Sequence, residues 1–350
     1  MSNPKLIAFY LPQFHAIPEN DKWWGEGFTE WVNTKKAKPL FNGHQQPKTP
    51  LNDNYYSLLD SKTQEWQAKL AQDNGVDGFC YYHYWFNGKM LLEKPMENML
   101  ANKNITLPFC ISWANEPWAR TWDGKDKEVL MPQSYGGEKE WKEHFDYLLQ
   151  FFLDERYIKI DNKPMFVIYR TSNIPDCEEM VKFWNSESKK NGFDGIYLVE
   201  TMNSFQNSSV INNSDAVVEF EPMITIRHHL PLYKQGIRFI KKKLSVLDKI
   251  DYSYVWDRVI KKDVDYGKKK FLGAFVSWDN TARKGKKGLV LTNGNPEKFE
   301  KGLRNQILKS KEIDSDFIFI NAWNEWAEGT YLESDKLNEF NYITKIKEIR

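Results

Sequence analysis

The sequence predicts an α/β fold, a single (β/α)8 barrel over residues 1–350, and three observations support that prediction. Eight short apolar runs have the length of buried strands, helical patterns fill most of the gaps between them, and polar or aromatic residues follow every run. Strands that alternate with helices indicate βα units and a parallel sheet. The chain of 350 residues is long for one domain, but α/β barrels often reach such lengths as one unit.

The eight strand candidates are continuous apolar runs rather than alternations, which is typical of strands covered on both faces. In order they are residues 6–11, 78–84, 108–112, 165–169, 195–199, 216–220, 272–277 and 316–322. The strongest helix candidates are residues 62–74, 139–154, 176–191 and 296–311. The third of these begins with acidic residues and ends with basic ones, which suits the helix dipole, and Pro296 stands at the first turn of the fourth.

Two connections, residues 12–61 and 223–270, are too long for simple βα turns. They follow the first and the sixth predicted strand, so in a barrel they lie at the end where strands finish and active sites form. An open doubly wound sheet is the alternative fold. No Gly-x-Gly-x-x-Gly or Walker loop follows any predicted strand, which favours the barrel.

Composition excludes several classes of protein. Hydrophobic residues make up 41% of the chain and charged residues 28%, which is typical of a globular protein and not of a collagen-like, disordered or coiled-coil one. No stretch reaches the ~20 apolar residues of a membrane helix, and the apolar run near residue 6 is too short for a signal peptide. Three widely spaced cysteines indicate neither a disulfide framework nor a metal site. We therefore expect a cytoplasmic protein, with a peripheral place at the inner membrane left open.

Aromatic residues are abundant, with 14 Trp, 17 Tyr and 22 Phe, and many of the tryptophans stand beside polar residues. Such side chains suit a carbohydrate cleft, because an indole offers a flat apolar face and one donor. In a barrel, functional residues lie at the carboxyl ends of the strands. We expect the residues near these ends to bind substrate: Tyr10, Gln13, His15, Glu30, Trp31, Tyr82, His83, Trp85, Trp113, Asn115, Glu116, Trp118, Arg120, Tyr169, Glu200, Glu221, Trp278, Asp279, Asn324 and Trp326.

Glu325 and Glu328 are the predicted catalytic pair. They flank Trp326 at the end of the last strand, and glycoside hydrolysis needs two carboxyl groups, one protonated and one ionised. Residues three apart on one strand point to opposite faces, so the chain must turn here, and Gly329 permits that turn. A solvated helix face is the structural alternative for this spacing. We expect no metal and no cofactor, because no His-x-x-x-His or similar pair is present.

Five long motifs resemble the WbsX-like group, which belongs with the glycoside hydrolase family 99-like proteins and is common in bacterial O-antigen and capsule loci. The resemblance covers roughly residues 5–333. The motifs are FYLPQFH at 9–15, WWGEGFTEW at 23–31, DGFCYYHYWF at 77–86, WANEPW at 113–118 and NAWNEWAEG at 321–329.

The resemblance implies a (β/α)8 barrel with the chemistry of retaining endo-acting α-mannosidases and mannanases. By that resemblance Glu325 is the base that deprotonates the substrate 2-hydroxyl, which then forms a 1,2-anhydro sugar. Glu328 is the acid that protonates the leaving oxygen and then the base that activates water. The family signature is similar to Asn-Glu-Trp-His-Glu-Gly, and Ala327 stands where that signature has His.

We therefore expect a retaining endo-glycosidase or transglycosidase that acts on a bacterial surface polysaccharide or its lipid-linked precursor. The alternatives are a glycosyltransferase of the same pathway and a non-catalytic glycan-binding protein. Residues 227–287 contain 17 Lys and Arg against 6 Asp and Glu. We expect their lysines on a helical extension beside the cleft, where they attract an anionic glycan, a lipid-linked glycan or an anionic membrane; a solvated surface is the alternative. No nucleic-acid partner is expected.

Overall fold

The computed structural model describes residues 3–119 and 129–350. Eight parallel strands form the core of the fold: β1 (Lys5–Tyr10), β2 (Gly78–Phe86), β3 (Phe109–Trp113), β4 (Lys163–Ile168), β5 (Tyr197–Met202), β6 (Ala216–Glu219), β7 (Lys269–Phe275) and β8 (Phe317–Asn321). Each strand pairs with its sequence neighbours, and β1 pairs with both β2 and β8, so the sheet closes. The predicted (β/α)8 barrel is confirmed.

Helices cover the outside of this barrel and occupy its longer connections. In chain order they are α1 (Pro18–Trp24), α2 (Glu30–Lys36), α3 (Ser61–Asp73), α4 (Lys94–Ala101), α5 (Glu138–Phe152), α6 (Cys177–Lys190), α7 (Met223–His228), α8 (Leu232–Lys243), α9 (Tyr252–Lys261), α10 (Thr281–Lys284), α11 (Pro296–Glu312) and α12 (Asn341–Glu348). The four helices predicted from sequence correspond to α3, α5, α6 and α11, and no end differs by more than two residues.

Short strands and single helical turns shape the loops. The strands are Lys89–Leu91, Trp118–Ala119, Val129–Met131, Lys159–Ile160, Asp248–Asp251, Leu289–Thr292, Asn324–Glu325 and Thr330–Tyr331. The helical turns are Leu51–Asp53, Thr171–Asn173, Gly285–Lys287 and Trp326–Glu328.

The barrel strands are covered on both faces, which explains their continuous apolar sequences. Every residue of β3, β5 and β8 is buried. Gly273 in β7 shows how closely the backbones approach, because a Cβ at this position would lie 2.0 Å from the carbonyl oxygen of Glu219. Only glycine fits there.

The connections follow the prediction in part. The long segments after β1 and β6 are present, and each contains helices at the carboxyl end of its strand. The stretch after β3, residues 114–137, is also long, which the sequence pattern did not predict. The β5–β6 connection, residues 203–215, has no helix. Asn and Ser are frequent there, and Asn203 accepts the backbone N–H groups of Phe205 and Gln206 through its side chain, an arrangement that competes with helix formation.

Candidate active site

A cleft of about 370 Å³ opens at the carboxyl ends of the strands. Seven of the residues expected from sequence line it: Tyr82, Glu116, Trp118, Tyr169, Trp278, Glu325 and Glu328. The other principal side chains of its wall are Tyr84, Phe205, Phe220, Met223, Arg283 and Lys284. The cleft therefore combines carboxylates with aromatic walls.

The chain turns between the two glutamates, as the sequence requires. Glu325 ends the short strand Asn324–Glu325, and one helical turn, Trp326–Glu328, follows it. Gly329 then takes a left-handed conformation with φ of 62°, which lets Thr330 return to pair with Glu325. Both carboxyl groups consequently reach the same cleft.

Arg283 joins three carboxylates at the bottom of the cleft. Its Nη1 donates to Glu328 Oε1 at 2.5 Å, and its Nη2 donates to Glu30 Oε1 at 2.7 Å and to Glu325 Oε2 at 3.2 Å. Glu30 comes from α2 and also accepts the backbone N–H of Ala327 at 2.9 Å. The loops after β1, β7 and β8 are thus held together by one guanidinium group.

The carboxyl groups of this cluster differ in burial. Burial raises the pKa of Glu325 well above its usual range, the negative charge of Glu328 raises it further, and Arg283 opposes both effects. Burial also raises the pKa of Glu30, against the attraction of Arg283. The Glu328 side chain is more open, at 23% exposure. The site therefore holds carboxylates in different environments, as acid and base catalysis requires.

Strand β2 divides its side chains between the cleft and the helices. Tyr82 and Tyr84 line the cleft, and burial raises the pKa of both phenols, so they remain hydroxyl donors. His83 and Trp85 point the other way: His83 Nε2 lies 2.9 Å from His144 Nε2 on α5. Burial lowers the pKa of His83 to about 3, so it is neutral. The structure does not bring His83 and Trp85 to the cleft, because successive strand residues face opposite sides.

The same alternation places other predicted aromatic residues in the core. Tyr10 at the end of β1 donates to Gln67 on α3 at 2.6 Å. Trp113 at the end of β3 contacts His144 and Trp184, between the barrel and its helices.

Two more predicted tryptophans, Trp326 and Trp31, do not line the cleft. Trp326 stacks on Tyr331 with ring centroids 3.8 Å apart, and it donates to Glu333 at 2.6 Å. Trp31 packs against Trp326 and donates to the carbonyl of Tyr56 at 2.9 Å. Of the predicted tryptophan wall, only Trp118 and Trp278 line the cleft.

Several predicted polar residues fasten the loops around the cleft. Asn115 exchanges two hydrogen bonds of 2.8 Å with the backbone of Arg170. Asn324 does the same with Leu11, at 2.7 and 3.0 Å. Asp279 accepts His44 at 2.8 Å and Gln46 at 2.7 Å. Asn115 thus joins the loops after β3 and β4, Asn324 joins those after β1 and β8, and Asp279 joins those after β1 and β7.

Of the remaining predicted residues, one lines the cleft and two are buried in the loop after β1. Glu116 lines the cleft and accepts Arg170 at 2.7 Å. Gln13 and His15 are buried in the loop after β1, and the Gln13 carbonyl accepts the backbone N–H of Glu30. Burial lowers the pKa of His15. Arg120 lies outside the described residues.

Glu200 and Glu221 are not brought to the cleft. Glu200 belongs to β5, which runs three residues beyond the predicted end, and it accepts Thr171, Ser209 and Ser214 within the barrel rim. Glu221 accepts Lys262 and Thr225 in a buried cluster. Glu200 accepts donors through both of its oxygens, whereas Glu221 accepts its two donors through Oε1 only. These local bonds offset part of the cost of burying the two carboxylates.

The family model described as "Glycosyltransferase WbsX" matches residues 6–346. The chain belongs to the WbsX family. WxcX of Xanthomonas campestris pv. campestris is 35% identical over 339 residues, an alignment that covers 94% of this chain and 47% of WxcX. This chain therefore spans about half the length of that relative.

Solved structures support the fold assigned to this WbsX-family protein. A GH99 endo-alpha-mannosidase from Bacteroides thetaiotaomicron superposes with a TM-score of 0.56 at 13% identity, covering 98% of this chain and 95% of that chain. A glycoside hydrolase-like protein superposes with a TM-score of 0.60 at 12% identity, covering 99% and 94%. At such low identity the likeness shows the barrel fold. The family match and the structural likeness together support the (β/α)8 barrel fold of the WbsX-family protein.

Arg283 and Tyr84 are the main cleft residues that the sequence interpretation missed. Tyr84 alternates with His83 along β2, so a strict period of two from Tyr82 would have selected it. Arg283 belongs to the basic segment 227–287 and is one of four lysines and arginines within residues 283–287. No sequence signal sets it apart from its neighbours Lys284, Lys286 and Lys287.

The basic segment of the WbsX-family protein is not one helical extension. It includes α7, α8, α9, β7 and α10, and part of its charge is used inside the protein. Lys262 is buried against Glu219 at 3.0 Å and against Glu221. Among the helices of this segment, α8 contains the most basic residues. Within residues 3–119 and 129–350, no helix is long and apolar enough to cross a membrane.

Proposed function

We propose that this WbsX-family protein is a retaining glycosidase or transglycosidase that acts on a bacterial surface polysaccharide or its lipid-linked precursor. The observation that carries the proposal is the cluster of Glu325 and Glu328 on one cleft, both bonded to Arg283. An aromatic wall of Trp118, Trp278 and tyrosines accompanies it and suits the flat faces of sugar rings.

The first step uses the roles implied by the family resemblance. Glu325 takes the proton of the substrate 2-hydroxyl, O2 attacks C1, and the glycosidic oxygen leaves with a proton from Glu328. The products are a 1,2-anhydro sugar and an alcohol. The raised pKa of Glu325 makes its carboxylate, once ionised, a stronger proton acceptor than an ordinary glutamate.

The second step opens the anhydro sugar. Glu328, now ionised, takes a proton from water or from a sugar hydroxyl, and the resulting oxygen attacks C1. O2 recovers its proton from Glu325, which restores the starting protonation states. Two inversions at C1 give net retention, and the identity of the acceptor decides between hydrolysis and glycosyl transfer.

In the free site, the surroundings of the two carboxyl groups also suit the opposite assignment, with Glu325 as the acid and Glu328 as the base. Glu325 is the more buried carboxyl group and has the raised pKa, which suits a general acid, whereas Glu328 is the more exposed of the two and accepts Arg283 at 2.5 Å. The order of the two roles is therefore the first thing to test.

We do not assign the identity of the substrate sugar, because the sequence differs from the family 99 signature at one position. Ala327 stands between the two glutamates where that signature has histidine. It is fully buried, and its backbone N–H donates to Glu30. The side that would contact the leaving group therefore lacks an imidazole donor. We propose a polysaccharide substrate without assigning mannose.

The family description favours a second candidate, a glycosyltransferase that uses a nucleotide sugar. The discriminating experiment measures thermal stabilisation and turnover with oligosaccharides of the source organism's polysaccharide and, separately, with nucleotide sugars. A glycosidase or transglycosidase is stabilised by the oligosaccharide and shortens or rearranges it. Consumption of a nucleotide sugar replaces the proposal with the glycosyltransferase. Stabilisation by glycan without any turnover supports a binding protein instead.

We propose further that residues 1–350 act as a single catalytic domain in the cytoplasm, where the lipid-linked precursor is accessible at the inner membrane. Expression of residues 1–350 alone tests the first part, because a complete catalytic domain unfolds in one cooperative transition and retains turnover. Cell fractionation with and without a salt wash tests the second part.

A further inference from the structure

Helix α8 presents apolar side chains to solvent and polar side chains to the protein, the reverse of the usual arrangement. Tyr233, Ile237, Ile240 and Leu244 recur at intervals of four, three and four residues, which aligns them on one stripe. Their exposure lies between 50% and 68%. Leu232 and Phe239 widen the stripe and are exposed as well, and no residue of α8 is buried.

Polar contacts fix this orientation. Arg238 donates from Nε to Asp248 at 2.6 Å and from Nη1 to the carbonyl of Ile226 at 2.8 Å. Gln235 donates to the carbonyl of Leu230 at 2.8 Å. Rotating the helix to bury the apolar stripe would break all three bonds, so the stripe stays at the surface.

The charge of α8 indicates what the stripe contacts. The helix contains five basic residues and no acidic one, and Lys242 and Lys243 are exposed at its end. An apolar stripe beside lysines matches the surface of an anionic bilayer, where acyl chains take the apolar residues and lipid phosphates attract the cations. A second copy of the chain is a less suitable partner for the stripe, because two α8 helices packed together would bring their positive charges close to each other.

The stripe lies at the barrel end that holds the cleft. Arg238 ties α8 to Ile226 in α7, and Met223, the first residue of α7, lines the cleft. We propose that α8 is an interfacial helix that docks this protein on an anionic bilayer, with the cleft near the membrane surface. The proposal goes beyond the glycan chemistry and does not depend on it.

The test is co-sedimentation of the full chain with vesicles of phosphatidylcholine alone and of equimolar phosphatidylcholine and phosphatidylglycerol. We expect binding to the anionic vesicles only, and weaker binding as salt shortens the Debye length from ~10 Å at 0.1 M to ~3 Å at 1 M. Ile237→Ser, Ile240→Ser and Leu244→Ser combined should reduce binding to background. Lys242→Glu with Lys243→Glu should weaken it by roughly 10-fold or more, since each basic residue near an anionic surface contributes substantially.

Matched controls use similar side chains elsewhere. Leu153→Ser with Leu308→Ser removes two exposed apolar residues, and Lys189→Glu with Lys301→Glu reverses two exposed charges; both should bind like the parent. Thermal unfolding of every variant confirms folding.

Absence of binding to anionic vesicles overturns the proposal, as does equal binding to neutral vesicles. Concentration-dependent dimers that the stripe variant abolishes, without vesicle binding, assign the stripe to a second copy. Because the vesicles contain no glycan, these outcomes are independent of the proposed reaction.

Discussion

Nη1 of Arg283 lies 2.5 Å from Oε1 of Glu328, and this contact joins the loop after β7 to the loop after β8. The other end of the guanidinium binds Glu30 at 2.7 Å, so the loop after β1 is held by the same group. The Arg283 side chain is only 12% exposed. A buried cation thus balances three carboxylates that would otherwise repel one another.

Arg283→Met should destabilise the protein by about 3–5 kcal/mol, because removing one partner of a buried ion pair leaves the other charges uncompensated. Arg283→Lys should be milder in stability but should still lower kcat, since an ammonium cannot reach all three carboxylates as the planar guanidinium does. Urea unfolding and turnover measure the two effects. Arg304→Met is the control: its ion pair with Glu300 is exposed, and its loss should cost no more than about 1 kcal/mol. Equal stability losses at positions 283 and 304 would contradict the buried role of Arg283.

Glu328→Gln should remove the general acid, so turnover of the polysaccharide should fall by roughly 10²–10⁴. An aryl glycoside with a good leaving group should be largely spared, because its departure needs little protonation. Glu325→Gln should impair both substrates, because attack by the 2-hydroxyl precedes departure of any leaving group. Sparing of the aryl substrate in Glu325→Gln instead would assign the reversed roles. Glu155→Gln, an exposed glutamate, is the control and should retain parent turnover on both substrates.

Glu333 should make stability fall as pH rises from about 4.5 to about 7. Burial raises its pKa to about 7, although Trp323, Trp326, Tyr56 and Gln67 all donate to it. The folded state therefore holds this proton more tightly than the unfolded state. Protonation of Glu333 stabilises the fold fully below pH 4.5, and this contribution is lost above pH 7. The loss is about 3 kcal/mol. Urea unfolding of the parent and of Glu333→Gln over this range isolates the contribution, because the variant lacks the titrating group. A parent and variant with parallel pH curves would contradict it.

Gly329→Ala should lower both stability and turnover. The φ of 62° is strained for alanine, and the new Cβ would lie 2.8 Å from Cβ of Asp279 and 3.0 Å from its carbonyl oxygen. The clash displaces the turn that carries Glu328. Gly192→Ala is the matched control: Gly192 has φ of 87°, but a Cβ there meets nothing within 4 Å. It should cost about 1 kcal/mol without changing kcat. Unchanged kcat in Gly329→Ala would show that the turn does not position Glu328 for catalysis.

The amino-acid pattern was sufficient for the barrel. Strands covered on both faces must be apolar throughout, and that requirement is local, so all eight runs could be recognised with ends shifted by a few residues. The turn between Glu325 and Glu328 was also predictable, because two residues three apart on a straight strand point to opposite faces of the sheet. Glu200 was misplaced for a related reason: the polar residue appeared to end a strand that in fact continues to Met202.

The direction of each side chain depended on tertiary structure. Tyr82 and His83 are equally aromatic and polar in sequence, yet one lines the cleft and the other contacts α5, because the register of β2 in the closed sheet decides which side faces inward. Arg283 looks like its neighbouring lysines until the loops after β1 and β8 bring three carboxylates to it. The amphipathic pattern of α8 is visible in the sequence, but its outward apolar face follows from the anchoring of Arg238 to Asp248 and Ile226. Composition and period thus determined which elements form, whereas long-range contacts decided which of their faces meet solvent, substrate or core.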